Sequence, residues 1–110
     1  VESTKRAVYL APAIAARVVE FQNNGDLPPY VTVENLDGVA SAAIVYQESD
    51  DGVNWSDIAG TTATVNPGQS NGQIVVTTRR LIALHAGGNV NVSVSVTRQI
   101  NGAPGDLGLA

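Results

Sequence analysis

The chain of 110 residues has no cysteine and no methionine, one histidine, one tryptophan, one phenylalanine and three tyrosines. Without cysteine there are no disulfides, no thiolate metal sites and no cysteine nucleophile, and the redox compartment is left open. With so few aromatics, the 44% of hydrophobic residues is carried mainly by Val, Ile, Leu and Ala, a small-residue core suited to tightly packed sheets. Positive charge is also scarce. Six Lys and Arg stand against ten Asp and Glu, for a net charge of −4. Lys5, Arg6, Arg17, Arg79, Arg80 and Arg98 form no stripe interleaved with aromatics, so the overall field opposes a phosphate backbone and no nucleic-acid partner is expected. No apolar run has the length that crosses a bilayer. The opening VESTKRAVYLAPAIAARVV is charged, with no clean apolar segment leading to a cleavage site, so a soluble chain without a membrane partner or retained targeting signal is expected.

Turn-forming pairs punctuate the sequence: Asn24-Gly25, Asp37-Gly38, Asp51-Gly52, Asn71-Gly72, Gly87-Gly88 and Asn101-Gly102. Asn and Asp tolerate positive φ and Gly has no Cβ to clash, so such pairs reverse an antiparallel chain at low cost. Between them lie short runs of strand character. In NVNVSVSVTRQI, residues 89–100, Val90, Val92, Val94 and Val96 share one face while Asn91, Ser93, Ser95 and Thr97 share the other. Further strands are expected over residues 15–22, 30–34, 42–48, 54–58, 61–65 and 73–78. A helical turn is conceivable only near Ala13, because Val18, Val19 and Phe21 turn the Ala-rich run toward strand. The expectation is an all-β, immunoglobulin-like antiparallel sandwich of about seven strands over residues 15–100. It is flanked by an extended N-terminal arm, residues 1–14, and a Gly-rich C-terminal tail, residues 101–110.

The segment YQESDDGVNWSDI, residues 46–58, gathers several carboxylates, a glycine and the only tryptophan. Glu48, Asp50, Asp51 and Asp57 are the oxygen donors a calcium site needs. Their order does not follow the EF-hand loop, which places ligands at alternate positions, a glycine at the sixth and a distant Glu. No second acidic cluster faces them to form a hydrolytic pair. A hairpin explains more residues: strand, Asp51-Gly52 turn and return strand, with Trp55 as a core anchor and the acids keeping the tip solvated. Calcium or sugar binding at this loop stays open as an alternative.

This segment resembles the strand, Ser-Asp-Asp-Gly, aromatic, strand hairpin of small all-β virion proteins of tailed bacteriophages. LIALHAGGNVNVSVSV, residues 81–96, is similar to their C-terminal strand pair. The resemblance spans residues 42–96. It implies a structural role as a capsid decoration or cement protein, or a tail-surface module, with no catalytic residues. Its implied partner is the major capsid protein or another virion protein, in a homo-oligomer or repeated assembly at the virion surface.

His85 has no second His, no Cys and no acidic residue within four positions, so local spacing gives no zinc site, and no G-x-S-x-G elbow is present. It is expected on a loop or at the surface. No metal, cofactor or catalytic residue is expected, and the chain is not expected to be an enzyme. The residues expected at an interface are Lys5, Arg6 and Tyr9 in the N-terminal arm, together with Arg79 and Arg80. Three readings of this pair stand open: solvated side chains closing a strand, an ion pair between subunits, and a bond from one guanidinium to an acidic edge such as the hairpin tip. Asn54-Trp55-Ser56 and Asn91-Val92-Ser93 match the glycosylation acceptor pattern, but Trp55 and Val92 belong to strands rather than exposed loops. The competing reading is a carbohydrate-binding or adhesin-type sandwich, with Trp55, Tyr46 or Tyr30 stacking on sugar rings.

Overall fold

A computed structural model describes residues 2–23 and 27–99. It contains nine strands: β1 (Glu2–Ala11), β2 (Ala16–Gln22), β3 (Tyr30–Asn35), β4 (Ala42–Ser49), β5 (Ser56–Asp57), β6 (Ala63–Val65), β7 (Ser70–Ile74), β8 (Leu81–Gly87) and β9 (Val90–Gln99). One sheet has the order β1-β9-β3-β7; the other has β2-β8-β4-β5, with β6 also paired to β4. Every pairing is antiparallel.

The expected all-β sandwich is therefore present, but its connectivity is not that of an immunoglobulin domain, where the first two strands pair within one sheet. Here β1 and β2 lie in opposite sheets. The first strand pairs with the last, β2 with β8, β3 with β7, and β4 with β5 and β6. This is a long hairpin rolled on itself until β9 also meets β3 and β8 meets β4, which makes a jelly roll.

Valine alternation in β9 fixes the core. Val90, Val92, Val94 and Val96 are buried against Val31 and Val33 of β3 on the same sheet and Phe21, Ile44, Tyr46, Ile82 and Leu84 of the facing sheet. The alternation continues to Arg98, whose side chain is buried, donates from Nη1 to the Gln22 carbonyl at 2.7 Å and lies 5.5 Å from the Phe21 ring centre. Desolvation there holds its pKa below the ordinary guanidinium value.

Four expectations change. Residues 2–11 are not an arm: they form β1, paired residue for residue with β9 from Glu2↔Gln99 to Ala11↔Val90. The segment has weak apolar periodicity because its inward positions are only partly covered at the sheet edge: Lys5 is exposed, Ala7 and Tyr9 are half-buried, and Ala11 is buried. Asn71-Gly72 is not a turn but lies inside β7, opposite Val33 and Thr32; the reversal comes earlier, at Gly68 with φ 72°, where Gln69 N–H donates to the Asn66 carbonyl. Gly87-Gly88 does not join neighbouring strands of one sheet but carries the chain from β8 across to β9 in the other. Near Ala13 the chain bends without forming a helix. The tail expected over residues 101–110 lies outside the described residues.

Gly88 is the position where glycine is required. Its φ is 123°, and a Cβ there would overlap the Ser41 carbonyl oxygen. Its N–H donates to the Pro12 carbonyl at 3.0 Å, so three crossovers between the sheets meet at one end of the sandwich.

Candidate functional site

The acidic hairpin joins β4 to β5, and its internal bonds account for most of its carboxylate oxygens. Asp51 Oδ1 accepts the N–H groups of Val53 and Asn54 at 2.9 and 2.8 Å, and Oδ2 accepts Asn54 Nδ2 at 2.8 Å. The Ser49 hydroxyl accepts from the N–H of Gly52 at 2.9 Å and lies 3.0 Å from Asp51 Oδ1. These donors stabilise the charged form, the Asn54 N–H most and the Val53 N–H next, and hold the Asp51 pKa well below the usual carboxylate range. Asp51 is thus a loop staple with its lone pairs directed into the loop. Gly52, at φ 75°, supplies the turn.

Arg79 closes the other side of this loop. Its Nη1 lies 2.6 Å from Asp50 Oδ2 and its Nε 3.5 Å from Glu48 Oε2. The Asp50 bond and charge, with Glu48 behind them, raise the guanidinium pKa above its ordinary value. Arg80 donates through its main-chain N–H to Asp50 Oδ1 at 3.3 Å, leaving its side chain exposed. The turn is also tied to the end of β2, since Asn23 Nδ2 donates to the carbonyls of Thr77 and Arg79. A pocket of about 260 Å³ opens between Glu48, Asp50, Asp51, Asn54 and Arg79. A guanidinium inside a would-be cation site repels a cation, and among the described residues no group of three or more His, Asp or Glu is arranged to hold a metal.

Trp55 is not a core anchor. It is half-buried outside the apolar cluster, with Nε1 donating to the Gly52 carbonyl at 3.1 Å and the Arg17 guanidinium 5.1 Å from its ring centre. The return strand is too short to carry it inward, because β5 is only Ser56–Asp57 and pairs with Gln47 and Glu48 at the sheet edge. Tyr46 and Phe21 fill the aromatic share of the core instead. His85 lies on β8 between Arg17 and Val45, half-buried, lining a second pocket of about 240 Å³ with Ala43, Asp57 and Thr62.

The residues expected at an interface are not brought to one place. Lys5, Arg6 and Tyr9 lie on β1, whereas Arg79 and Arg80 precede β8 in the other sheet. Arg6 crosses its own sheet, with Nε donating to Ser93 Oγ at 2.6 Å and Nη2 3.7 Å from Glu34 Oε1. Lys5 is exposed, and Tyr9 packs against the core, where desolvation raises its phenol pKa. The outer face of this sheet exposes Val8, Leu10, Tyr30, Leu36 and Ile74.

Asn35 escaped the reading of the sequence. Its side chain is fully buried, donates to the carbonyls of Ala40 and Val65 at 2.8 and 3.0 Å, and accepts the Asp37 N–H at 2.9 Å. Its position ahead of Asp37-Gly38 reads as turn chemistry; only the meeting of residues 35, 40 and 65 in space shows that it joins two crossovers.

No family model matches the chain, and no curated protein matches it. Solved structures do share the fold. A protein of Bacillus endospore appendages, described as a family of disulfide-linked pili, is similar over 92% of this chain and 88% of its own at 18% identity, with a TM-score of 0.56. The mitogen of Yersinia pseudotuberculosis is similar over 100% of this chain and 94% of its own at 9% identity, with a TM-score of 0.53. At such identities the likeness establishes a shared small all-β fold.

Proposed function

We propose that the chain works by contact, as a structural subunit repeated over the surface of a particle, and that its particular form is a decoration or cement protein bound to the outside of a phage head. The observation that carries this is the amount of apolar surface left uncovered. The polar groups of the acidic hairpin are bonded to one another and to Arg79, while Val8, Leu10, Leu36, Tyr30 and Ile74 stand exposed on or beside one sheet face and Ile14, Val39, Val53 and Val76 stand exposed elsewhere. A surface of that kind gains from covering apolar area rather than from transforming a substrate. Repetition over a shell turns modest contacts into collective stabilisation. In this reading the chain is not an enzyme, and its partner is the major capsid protein or another virion protein.

The virion resemblance of the acidic hairpin supports the phage-head form. A subunit of disulfide-linked pili built on the same fold supports the broader idea of repeated assembly. A chain without cysteine must hold any such assembly together without disulfides. Immunogold labelling with electron microscopy of the producing culture tests the reading. Label is expected at regular intervals on phage heads; label on cell appendages would keep the contact role and remove the capsid, and dispersed label with no particle would remove both.

A second reading is favoured by the half-exposed Trp55 with Arg17 against its ring: a sugar-binding module using that aromatic. Saturable quenching of Trp55 fluorescence by a glycan panel would support it, and indifference would dismiss it.

A further inference from the structure

The two sheets end in four edges, and three of them are blunted. The edge made by β5 and β6 consists of strands as short as Ser56–Asp57 and Ala63–Val65. At β7 the strand is short and holds Gly72 at its middle. Along β2 the register shifts between Arg17 and Val19, and Arg17 and Glu20 are exposed beside the shift. Bulges, charges and short strands are the usual devices that stop a sheet edge from recruiting another strand.

The fourth edge has neither a bulge nor a short strand, and its charges are Lys5 and Arg6. β1 is 10 residues long, its register with β9 is unbroken, and it contains neither proline nor glycine. Among the described residues no strand lies on its other side. Alternate residues therefore direct their N–H and C=O groups outward. Arg6, which would otherwise guard the edge, is drawn back across the sheet by Ser93 and Glu34. Val8 and Leu10 each remain 59% exposed beside it.

We propose that two copies of this chain join edge to edge through β1, antiparallel about a twofold axis at Ala7, so that one continuous sheet spans both molecules. This deepens the contact reading above and rests on it only in requiring that copies meet. Opposed residues of an antiparallel pair share a face, so a twofold axis that keeps inner face with inner face must pass through a residue position. An axis at Lys5 or Arg6 sets a positive charge against its own copy. An axis at Val8 pairs only residues 5–11.

The axis at Ala7 pairs residues 3–11 and opposes no like charges. Lys5 then faces Tyr9 of the partner subunit, twice by symmetry, a cation beside an aromatic ring. Arg6 faces Val8 of the partner subunit, Thr4 faces Leu10 of the partner subunit, and the small Ala7 side chains meet at the axis. The occupant of the edge is thus a second copy, because the strand complements itself in charge and size.

A chain without native cysteine allows a direct test. Facing residues in an antiparallel pair sit within the Cα separation a disulfide spans, and residues displaced by two positions do not. Ala7→Cys is expected to form a covalent dimer on mild oxidation. Thr4→Cys and Leu10→Cys are expected to stay monomeric when oxidised separately and to cross-link when mixed. Val8→Lys, at an exposed position opposite Arg6 of the partner subunit, should keep its circular dichroism spectrum and weaken self-association about tenfold in sedimentation velocity. An Ala7→Cys protein that stays monomeric, or equal cross-linking by every variant, would overturn the proposal. If the wild type self-associates while Ala7→Cys does not link, the edge is wrong and the contact reading stands. If the wild type is monomeric and coats nothing, both fall.

Discussion

The side-chain amide of Asn35 donates to the main-chain carbonyl of Val65 at 3.0 Å, in a fully buried position, while donating to Ala40 at 2.8 Å. One residue at the end of β3 therefore holds the chain entering β4 and the chain leaving β6. Asn35 N–H also donates to the Gln69 carbonyl, and its carbonyl accepts the Gly68 N–H. The sandwich is closed at this end by polar bonds inside an apolar shell, where a lost partner costs more than the bond itself is worth.

Asn35→Ala is accordingly expected to destabilise the fold by about 3 kcal/mol, because the Val65 carbonyl would be left buried without its donor. Asn35→Asp should be no better, since it removes the same two donors and adds charge. Urea unfolding followed by circular dichroism measures both; a loss below about 0.5 kcal/mol would mean the end of the sandwich is held in another way.

Gly88 and Gly72 both lie where a Cβ would collide, yet they predict opposite outcomes. Gly88→Ala meets main chain at Ser41 in a left-handed conformation, so strain cannot relax, and a loss of about 2 kcal/mol or more is expected in thermal unfolding. Gly72→Ala meets only the Tyr30 ring, which is 47% exposed and free to swing outward. Its stability should be nearly unchanged while Tyr30 becomes more accessible to iodination.

How much of this was legible in the chain depends on whether neighbours in space were also neighbours in sequence. The β9 alternation, the all-β class and the Asp51-Gly52 reversal are local patterns, and each is present. The bond from Arg79 to the hairpin tip was readable only as one of three fates for the Arg79-Arg80 pair, since complementary charge does not say whether the partner is water, another subunit or the chain's own turn. Connectivity was not, because strands in opposite sheets are separated by the same turn residues that join strands in one. Trp55 was misplaced for a related reason. Aromatic content suggested a core anchor, but the length of β5 is set by its pairing to Gln47 and Glu48, and this leaves the indole outside.

The acidic loops should respond to pH in a defined direction. Asp51 is held below the usual carboxylate range chiefly by the Asn54 and Val53 N–H groups, and Asp37 chiefly by those of Ala40 and Val39. A carboxylate whose folded pKa lies below its unfolded value contributes stability that is whole above the unfolded pKa, about 4, and is lost as pH falls through the folded one. The hairpin should therefore keep its structure at pH 5 and loosen only in stronger acid, read by a red shift of Trp55 emission, because Trp55 is bonded to Gly52 inside the same loop. Asp51→Ala should show that red shift already at neutral pH, and an unshifted spectrum would separate Asp51 from the order of the loop.

Tyr46 presents the reverse case, a polar group whose removal should help. Its side chain is fully buried, no group among the described residues hydrogen-bonds its hydroxyl, and desolvation raises its pKa far above the ordinary phenol value. The ring fills core volume that no smaller residue would fill, but the hydroxyl brings the cost of a buried, unanswered donor, typically about 1 kcal/mol or more. Tyr46→Phe keeps the ring and removes that cost, so its urea midpoint should equal or exceed that of the wild type. Tyr46→Ala should lose about 3 kcal/mol or more, because the cavity would open beneath Leu84, the residue opposite Tyr46 in the adjoining strand. A Tyr46→Phe protein markedly less stable than the parent would show that the hydroxyl is satisfied in solution, and the difference between the two variants separates ring packing from the polar term.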